Sequence, residues 1–234
     1  MAAPPWAREQ LLPLYAFNLE IARAPWLAQE SLVAEMRLQW WRDVVEAAAS
    51  GAARAHEVAG PLHALIRDAG LPVAVLDRLI TARRWDCWRE TFDDGVALEA
   101  YLEDTGAGLM WLAARALGAP DGAEAAVRAY GWAAGLANFL RAVPELQARG
   151  RQPLPPGTDL AALARQGLDR LVRSRAARKT LPIAAAPALL AGWQSEPLLT
   201  LAARDPAAVT EGRLHLSEFS RRGRLLWQAF SGRW

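Results

Sequence analysis

Two polar side chains on one predicted helix are the first candidates for chemistry. Asn138 and Arg141 lie three residues apart, so both face one side of the helix predicted over residues 122–141. A helix that holds Mg²⁺ against a diphosphate also needs carboxylates one turn apart, so that both reach the metal. The two positions that would supply them, four residues apart, carry Ala142 and Leu146. The pattern therefore indicates the frame of a diphosphate-binding helix without its acids.

Composition excludes several other kinds of site. The single cysteine, Cys87, excludes an intramolecular disulfide and indicates a reducing compartment. One cysteine and three scattered histidines cannot form a zinc cluster. Asp93 and Asp94 precede a glycine in a predicted turn, where Asp is common for backbone reasons, so we interpret them as turn residues.

The elements that must position these side chains are predicted to be helices. The abundance of Ala, Leu, Arg and Glu favours helix, and 234 residues with 53% apolar side chains suffice for one large helical domain. The small residues Gly131 and Gly135 allow another helix to approach the helix over residues 122–141 closely. We predict one all-α domain over residues 1–234, with residues 205–234 as a basic C-terminal segment. The predicted helices cover residues 5–21, 32–49, 61–70, 73–88, 98–117, 122–141, 159–173, 182–192 and 198–203, with a short last helix from residue 217.

Three residues are predicted to set helix ends near the N-terminus. Pro25 either interrupts the first helix or starts the next turn. Ser31 is predicted to cap the second helix, and Gly51 lies just past its end.

Charge is unevenly distributed along the chain. Residues 1–140 carry 12 basic and 18 acidic side chains, whereas residues 141–234 carry 15 basic and 7 acidic ones. A basic half indicates an anionic partner: lipid head groups, a diphosphate or an acidic protein face. The stretch from Arg221 to Phe230 is basic and amphipathic, as in segments that lie on anionic membranes, although a solvated face packed on the bundle explains it equally well. No motif supports nucleic-acid binding.

Several segments together resemble the squalene/phytoene synthase family. The most specific are Arg-Leu-Gln-Trp-Trp-Arg-Asp at residues 37–43 and Asn-Phe-Leu-Arg at 138–141, followed by Arg-Gly-Arg at 149–151. The resemblance covers about residues 10–155 in consistent order. It implies the isoprenoid-synthase fold, an all-α helical bundle around a long apolar cavity. By this resemblance the candidates for lining the cavity or binding a ligand are Tyr15, Ala22, Arg37, Trp41, Arg42, Asn138, Arg141 and Ala142.

Each candidate also has a structural interpretation. Trp41 is expected in the core more often than against a ligand. Of Arg37 and Arg42, one is expected to pair with Asp43, Glu35 or Asp86 and the other to remain in the cavity. Asn138 and Arg141 either make structural hydrogen bonds or bind a ligand.

The departures from the family pattern bear directly on function. The family's first Asp-rich motif falls on Ala22, Arg23 and Trp26, and the second on Ala142 and Leu146. In active members these motifs hold the Mg²⁺ ions that clamp the leaving diphosphate. We therefore predict no catalytic residue, no metal ligand and no cofactor, with Mg²⁺ expected only if prenyl transfer survives.

The Tyr-Ala-Phe-Asn-Leu-Glu start at residue 15 and the Arg-Arg-Trp-Asp segment at 83–86 resemble a motif-deficient branch that includes a mitochondrial complex I assembly factor. The leading hypothesis is a bacterial pseudoenzyme that acts by binding a protein or a lipid, in complex I assembly. The alternatives are an isoprenoid-binding protein and a prenyltransferase that condenses isoprenoid diphosphates. The first nine residues predict no signal peptide, and no apolar run is long enough to span a bilayer. The expected location is the cytoplasm, or the periphery of the inner membrane face.

Overall fold

The computed structural model describes residues 3–28, 30–51, 54–88, 90–232 and 234, and within them every regular element is helical. The all-α prediction is confirmed. The α-helices are α1 (Pro5–Leu27), α2 (Ser31–Ser50), α3 (Ala59–Ala69), α4 (Val73–Ala82), α5 (Arg84–Trp88), α6 (Gly95–Leu102), α7 (Gly108–Ala116), α8 (Glu124–Ala148), α9 (Leu160–Ala176), α10 (Ser195–Arg204), α11 (Ala207–Thr210) and α12 (Glu218–Ser231). A π-helical turn covers Glu103–Ala107, and 3₁₀ turns cover Asp121–Ala123, Arg178–Thr180 and Ile183–Gly192.

The helix at the centre of the bundle is α8, which packs against α7, α9 and α10 as well as the π-helical turn. The predicted small-residue face is confirmed where it meets that turn. A Cβ atom added to Gly131 would lie 2.8 Å from Cβ of Met110 and 2.9 Å from Cα of Ala107. Only glycine permits this distance between the two backbones, and the close approach fixes α8 against the centre of the bundle.

Some helix boundaries differ from those predicted. The first helix continues through Pro25 to Leu27, because Phe17, Ile21 and Ala24 keep one face of it buried and that packing outweighs the hydrogen bond that proline removes. The second helix begins at Ser31 without a side-chain cap, whereas Gly51 ends it in the left-handed region, as predicted.

The helix predicted over residues 73–88 divides into α4 and α5 at Arg83, whose side chain turns into the interior. The helix predicted over residues 98–117 is interrupted by the π-helical turn, whose Gly106 lies directly against Gly131 and Gly135 of α8. In the described residues, no helix combines the length and the apolar character needed to cross a membrane.

Candidate functional site

The two groups of positions expected to carry the metal ligands lie near the C-terminal ends of α1 and α8, which a side-chain contact links. Ala22 and Ala142 are half-buried, and Leu146 is buried. Trp26, the last of the replaced positions on α1, lies under the guanidinium of Arg149, with 4.4 Å between the guanidinium carbon and the ring centroid. This cation–π contact links the C-terminal ends of α1 and α8.

These residues do not fit Mg²⁺. The ion needs carboxylate oxygens, and the replaced positions present methyl, isobutyl, indole and guanidinium groups, the last from Arg23. The nearby carboxylate of Glu145 pairs with Arg149 at 2.6 Å, so a cation already holds it. Over the described part of the chain, no group of three or more His, Cys, Asp or Glu side chains is arranged to hold a metal ion.

Arg149 and Arg151, which follow the last residue of α8, point in opposite directions. The backbone N–H of Gly150 donates to the carbonyl of Gln147 at 2.9 Å, and the N–H of Arg151 donates to the carbonyl of Leu146 at 3.0 Å. This is a Schellman motif, and it requires the left-handed conformation that Gly150 adopts at φ 76°. The chain therefore reverses after the helix, so that Arg149 remains exposed while Arg151 enters the interior.

Arg151 is 5% exposed and belongs to a charged cluster inside the bundle. Its guanidinium lies 3.5 Å from the carboxylate of Asp86, donates to the backbone carbonyl of Trp85 at 3.2 Å and stacks on the Trp85 ring at 4.1 Å. Arg83 pairs with Asp86 at 3.4 Å and donates to the hydroxyl of Tyr101 at 2.9 Å. The Tyr101 hydroxyl in turn donates to Asp86 at 3.1 Å. We call Arg83, Asp86, Tyr101 and Arg151 the buried charge cluster.

The buried charge cluster carries an excess of positive charge, since two guanidinium groups share one carboxylate. Burial is the main cause that raises the pKa of Tyr101 far above its usual value, so the phenol stays neutral and acts as a hydrogen-bond donor. Burial opposes the charge on Arg83, but Tyr101 and Asp86 outweigh it and raise the pKa of the guanidinium. The Nε atoms of Arg83 and Arg151 have no hydrogen-bond partner among the described residues.

Aromatic side chains pack beside the buried charge cluster. Trp85 stacks on Phe92 with 4.2 Å between ring centroids, and Tyr101 and Phe139 complete the group at 5.4 to 6.3 Å. These rings occupy the interior between α5, α6 and α8. This part of the bundle is therefore filled by side chains.

The predicted site residues do not converge on one cavity. Asn138 and Arg141 are exposed on α8, and Arg37 is exposed on α2. Arg42 pairs with Asp77 of α4 at 2.6 Å, an acid that was not among the three expected to pair with either Arg37 or Arg42.

The two aromatic candidates occupy different environments. Trp41 is buried and makes edge contacts with Phe17 and Trp40, as expected for a core residue. Tyr15 lines an apolar cavity of about 240 Å³ between α1, the Ile183–Gly192 turn and α12. Burial raises the pKa of Tyr15 to about 12.

Sequence reasoning did not identify the buried charge cluster as a unit. The segments at 83–86 and 149–151 both carry part of the family resemblance, but they lie more than 60 residues apart in the chain. No local signal in either segment indicates that the two are in contact. Pairing Asp86 with Arg151 needed the tertiary structure.

Comparisons with known proteins agree with this architecture. The family model of squalene/phytoene synthase matches residues 1–161. The protein named NADH dehydrogenase (ubiquinone) complex I, assembly factor 6, is 28% identical in Bos taurus and 27% identical in Homo sapiens, each over 210 residues and 80% of this chain. The chain spans 63% of the length of these two relatives.

Solved structures show the same fold. A dehydrosqualene synthase crystallised with a ligand superposes with a TM-score of 0.80 at 17% identity, covering 98% of this chain and 88% of that one. A squalene synthase from Alicyclobacillus acidocaldarius gives a TM-score of 0.71 at 20% identity, covering 88% and 86% of the two chains. At this identity the likeness concerns the fold alone. Because the family model covers more than half of the chain, this chain belongs to the squalene/phytoene synthase family.

Proposed function

We propose that this chain is a non-catalytic member of its family that acts by binding a protein partner. The observation that carries the proposal is the contact between Arg149 and Trp26, which stands at one of the positions of the missing metal ligands. A site that stabilises a departing diphosphate must present cations or metal ions in a water-excluded pocket. Here the contact joins an exposed indole and an exposed arginine that is already paired with Glu145, so water reaches both groups.

The partner we propose belongs to respiratory complex I assembly. The support is that two relatives matched over 80% of this chain are named as assembly factors of that complex. The charge cluster and the aromatic group would then serve to hold the bundle rigid, so that an outer surface keeps a fixed shape.

An exposed apolar surface on α2 is the best candidate for the partner contact. Leu32, Val33 and Met36 are exposed on neighbouring turns, with Met36 65% exposed. Trp88 of α5 is also exposed, and its indole N–H donates to the carboxylate of Glu35 on α2 at 3.1 Å. Contiguous exposed apolar side chains on a folded chain mark an interaction surface. We call Leu32, Val33, Met36 and Trp88 the α2 patch.

The test is complementation in the organism that encodes the chain. Deleting the gene is expected to lower NADH:ubiquinone oxidoreductase activity in isolated membranes, and the unchanged gene should restore it. A Leu32→Glu/Met36→Glu variant should fail to restore it at equal protein level, because the charges oppose burial of the α2 patch.

A Val96→Glu/Val172→Glu variant provides the matched control, since both valines are exposed on other helices. It should restore activity as well as the unchanged gene does. Undiminished complex I activity after deletion would contradict the proposed partner.

A second candidate function is isoprenoid binding, which the apolar cavity beside Tyr15 favours. At about 240 Å³ the cavity is smaller than the usual ligand pocket of roughly 300 to 1,000 Å³, so we rank this function second. Mass spectrometry of an organic extract of the purified protein tests it. If the extract contains about one prenyl lipid per protein chain, isoprenoid binding becomes the favoured function.

We also propose that the chain works at the periphery of a membrane. The support is the basic character of residues 141–234, whose net charge of +8 contrasts with −6 for residues 1–140. Anionic lipid surfaces attract such charge.

A further inference from the structure

The orientation of α12 on the bundle is unusual for an amphipathic helix. Its inner side is polar at the centre, because Gln228 is buried and donates to the backbone carbonyl of Leu189 at 3.1 Å. The opposite side carries Phe219, Leu226 and Phe230, which are 90%, 70% and 91% exposed. Leu226 and Phe230 lie seven and eleven positions after Phe219, and that spacing places the three side chains along one line of the helix.

If α12 served only to pack against the bundle, these three apolar side chains would face inward. Here the apolar line faces away from the protein, and Trp227 stands beside it, 63% exposed. At 14 residues α12 is too short to cross a bilayer, which takes about 20. The arrangement suits a helix that lies in the plane of a membrane surface, with aromatic side chains among the head groups.

A cleft of about 450 Å³ adjoins this helix and contains unbalanced positive charge. Three arginines line it, namely Arg175 from α9, Arg178 from the turn that follows, and Arg224 from α12. Among the described residues that line the cleft, the one acidic side chain is Glu196, which binds Arg175 at 2.8 Å. Within the described residues Arg178 makes no ion pair, so the cleft presents guanidinium groups that can accept an anion.

Tryptophans form the other walls of the cleft. Trp193, Trp227 and Trp234 all line it, and the backbone carbonyl of Trp234 accepts a hydrogen bond from Arg175 at 3.1 Å. Indole rings beside guanidinium groups are typical of the boundary between lipid head groups and acyl chains. Trp227 belongs both to the cleft and to the outer side of α12, so the two features are continuous.

We propose that α12 and this cleft together bind an anionic phospholipid surface. Phe219, Leu226 and Phe230 enter the head-group boundary, and Arg178 and Arg224 hold the phosphate of one lipid in the cleft. Charge complementarity favours a membrane over a second copy of this chain, because two copies would bring like-charged clefts together. The inference rests on the peripheral placement proposed above and is independent of the α2 patch.

Vesicle sedimentation of the purified full chain tests the proposal. Vesicles of phosphatidylcholine alone are compared with vesicles that also contain phosphatidylglycerol, each at low and at high salt. The unchanged protein should bind the anionic vesicles at least about tenfold more tightly, and high salt should abolish the difference. Equal binding to both kinds of vesicle at low salt would overturn the proposal.

The apolar line is tested by Phe219→Glu/Phe230→Glu. Both rings are almost fully exposed, so the fold should be unchanged, which circular dichroism and the melting temperature check. Anionic-vesicle binding should fall more than about tenfold, because two charges now oppose insertion. If this variant instead converts a dimer into a monomer and neither protein binds vesicles, the surface joins two copies and the proposal fails.

The cleft is tested by comparing two variants of equal charge. Arg178→Gln/Arg224→Gln should weaken anionic binding by roughly fivefold for each arginine. Arg165→Gln/Arg204→Gln removes the same charge from exposed positions outside the cleft and should have a smaller effect. If both variants lose anionic-vesicle binding equally, the attraction depends on overall charge, and the proposal that the cleft binds a lipid phosphate is wrong. Failure of vesicle binding would leave the complementation result of the α2 patch unaffected, so the two proposals can fail separately.

Discussion

Arg149 and Arg151 show how two arginines separated by one residue acquire opposite environments. The glycine between them takes a left-handed conformation, so one guanidinium lies over Trp26 at the surface and the other enters the buried charge cluster. Both guanidinium groups contact other side chains of the chain: Arg149 contacts Trp26, and Arg151 contacts Asp86 and Trp85. Their contributions to the free energy of unfolding should therefore differ, and this difference can be measured.

Arg151→Gln is expected to destabilise the fold by about 3 kcal/mol, because it removes one partner of a buried ion pair and its stacking on Trp85. Arg149→Gln removes only half-exposed contacts and should cost at most about 1 kcal/mol. Urea unfolding of both variants measures the two free energies. A larger cost for Arg149→Gln would contradict the assignment of the cluster as a structural centre.

The three tyrosines predict a loss of stability in alkali. Burial raises the pKa of Tyr15 and Tyr130 to about 12 and that of Tyr101 further. In the unfolded chain each phenol loses its proton near pH 10. Above that pH the unfolded chain binds fewer protons than the folded one, so the free energy of unfolding falls as pH rises.

Absorbance at 295 nm and circular dichroism, followed together from about pH 9 to pH 12, check this alkaline transition. Tyrosine ionisation should coincide with unfolding. Ionisation of all three tyrosines near pH 10 with the fold intact would contradict the burial argument.

At the scale of elements, the contact between α8 and the π-helical turn depends on glycine. Gly131→Ala should destabilise the fold by roughly 1 to 3 kcal/mol, because the new methyl group would lie 2.8 Å from Cβ of Met110 and 2.9 Å from the Ala107 backbone. Gly122→Ala is the control, since nothing lies within 4 Å of its added Cβ. Thermal unfolding compares them, and equal melting temperatures would show that the two helices can separate without cost.

The helices themselves were largely predictable, because apolar periodicity and the glycines that end helices are local features of the sequence. Gly51 ends α2 where it was expected to. The interruptions were less predictable, because they depend on partners distant in sequence. The chain turns at Arg83 to reach Tyr101, and the π-helical turn accommodates Gly131 of α8. Pro25 failed to end α1 because tertiary burial outweighed its local effect.

At the scale of the whole molecule, the absence of carboxylates at positions 142 and 146 of α8 has a thermodynamic consequence. A ligand that binds only the folded state raises its stability in proportion to the logarithm of its concentration. Saturating Mg²⁺ with farnesyl diphosphate should therefore leave the melting temperature of this protein unchanged. A family member with both Asp-rich motifs, measured in parallel, should be stabilised. A clear upward shift for this chain, or a condensed product, would contradict the non-catalytic proposal.

The sequence by itself determined the all-α class, the family resemblance and the loss of both metal motifs, because each depends on residue types at fixed spacing along the chain. Only the tertiary structure decided what replaced the metal site. The stacking of Arg149 on Trp26 and the pairing of Asp86 with Arg151 join residues far apart in the chain. The outward direction of Phe219 and Phe230 likewise follows from which side of α12 meets the bundle, and no local pattern fixes that side.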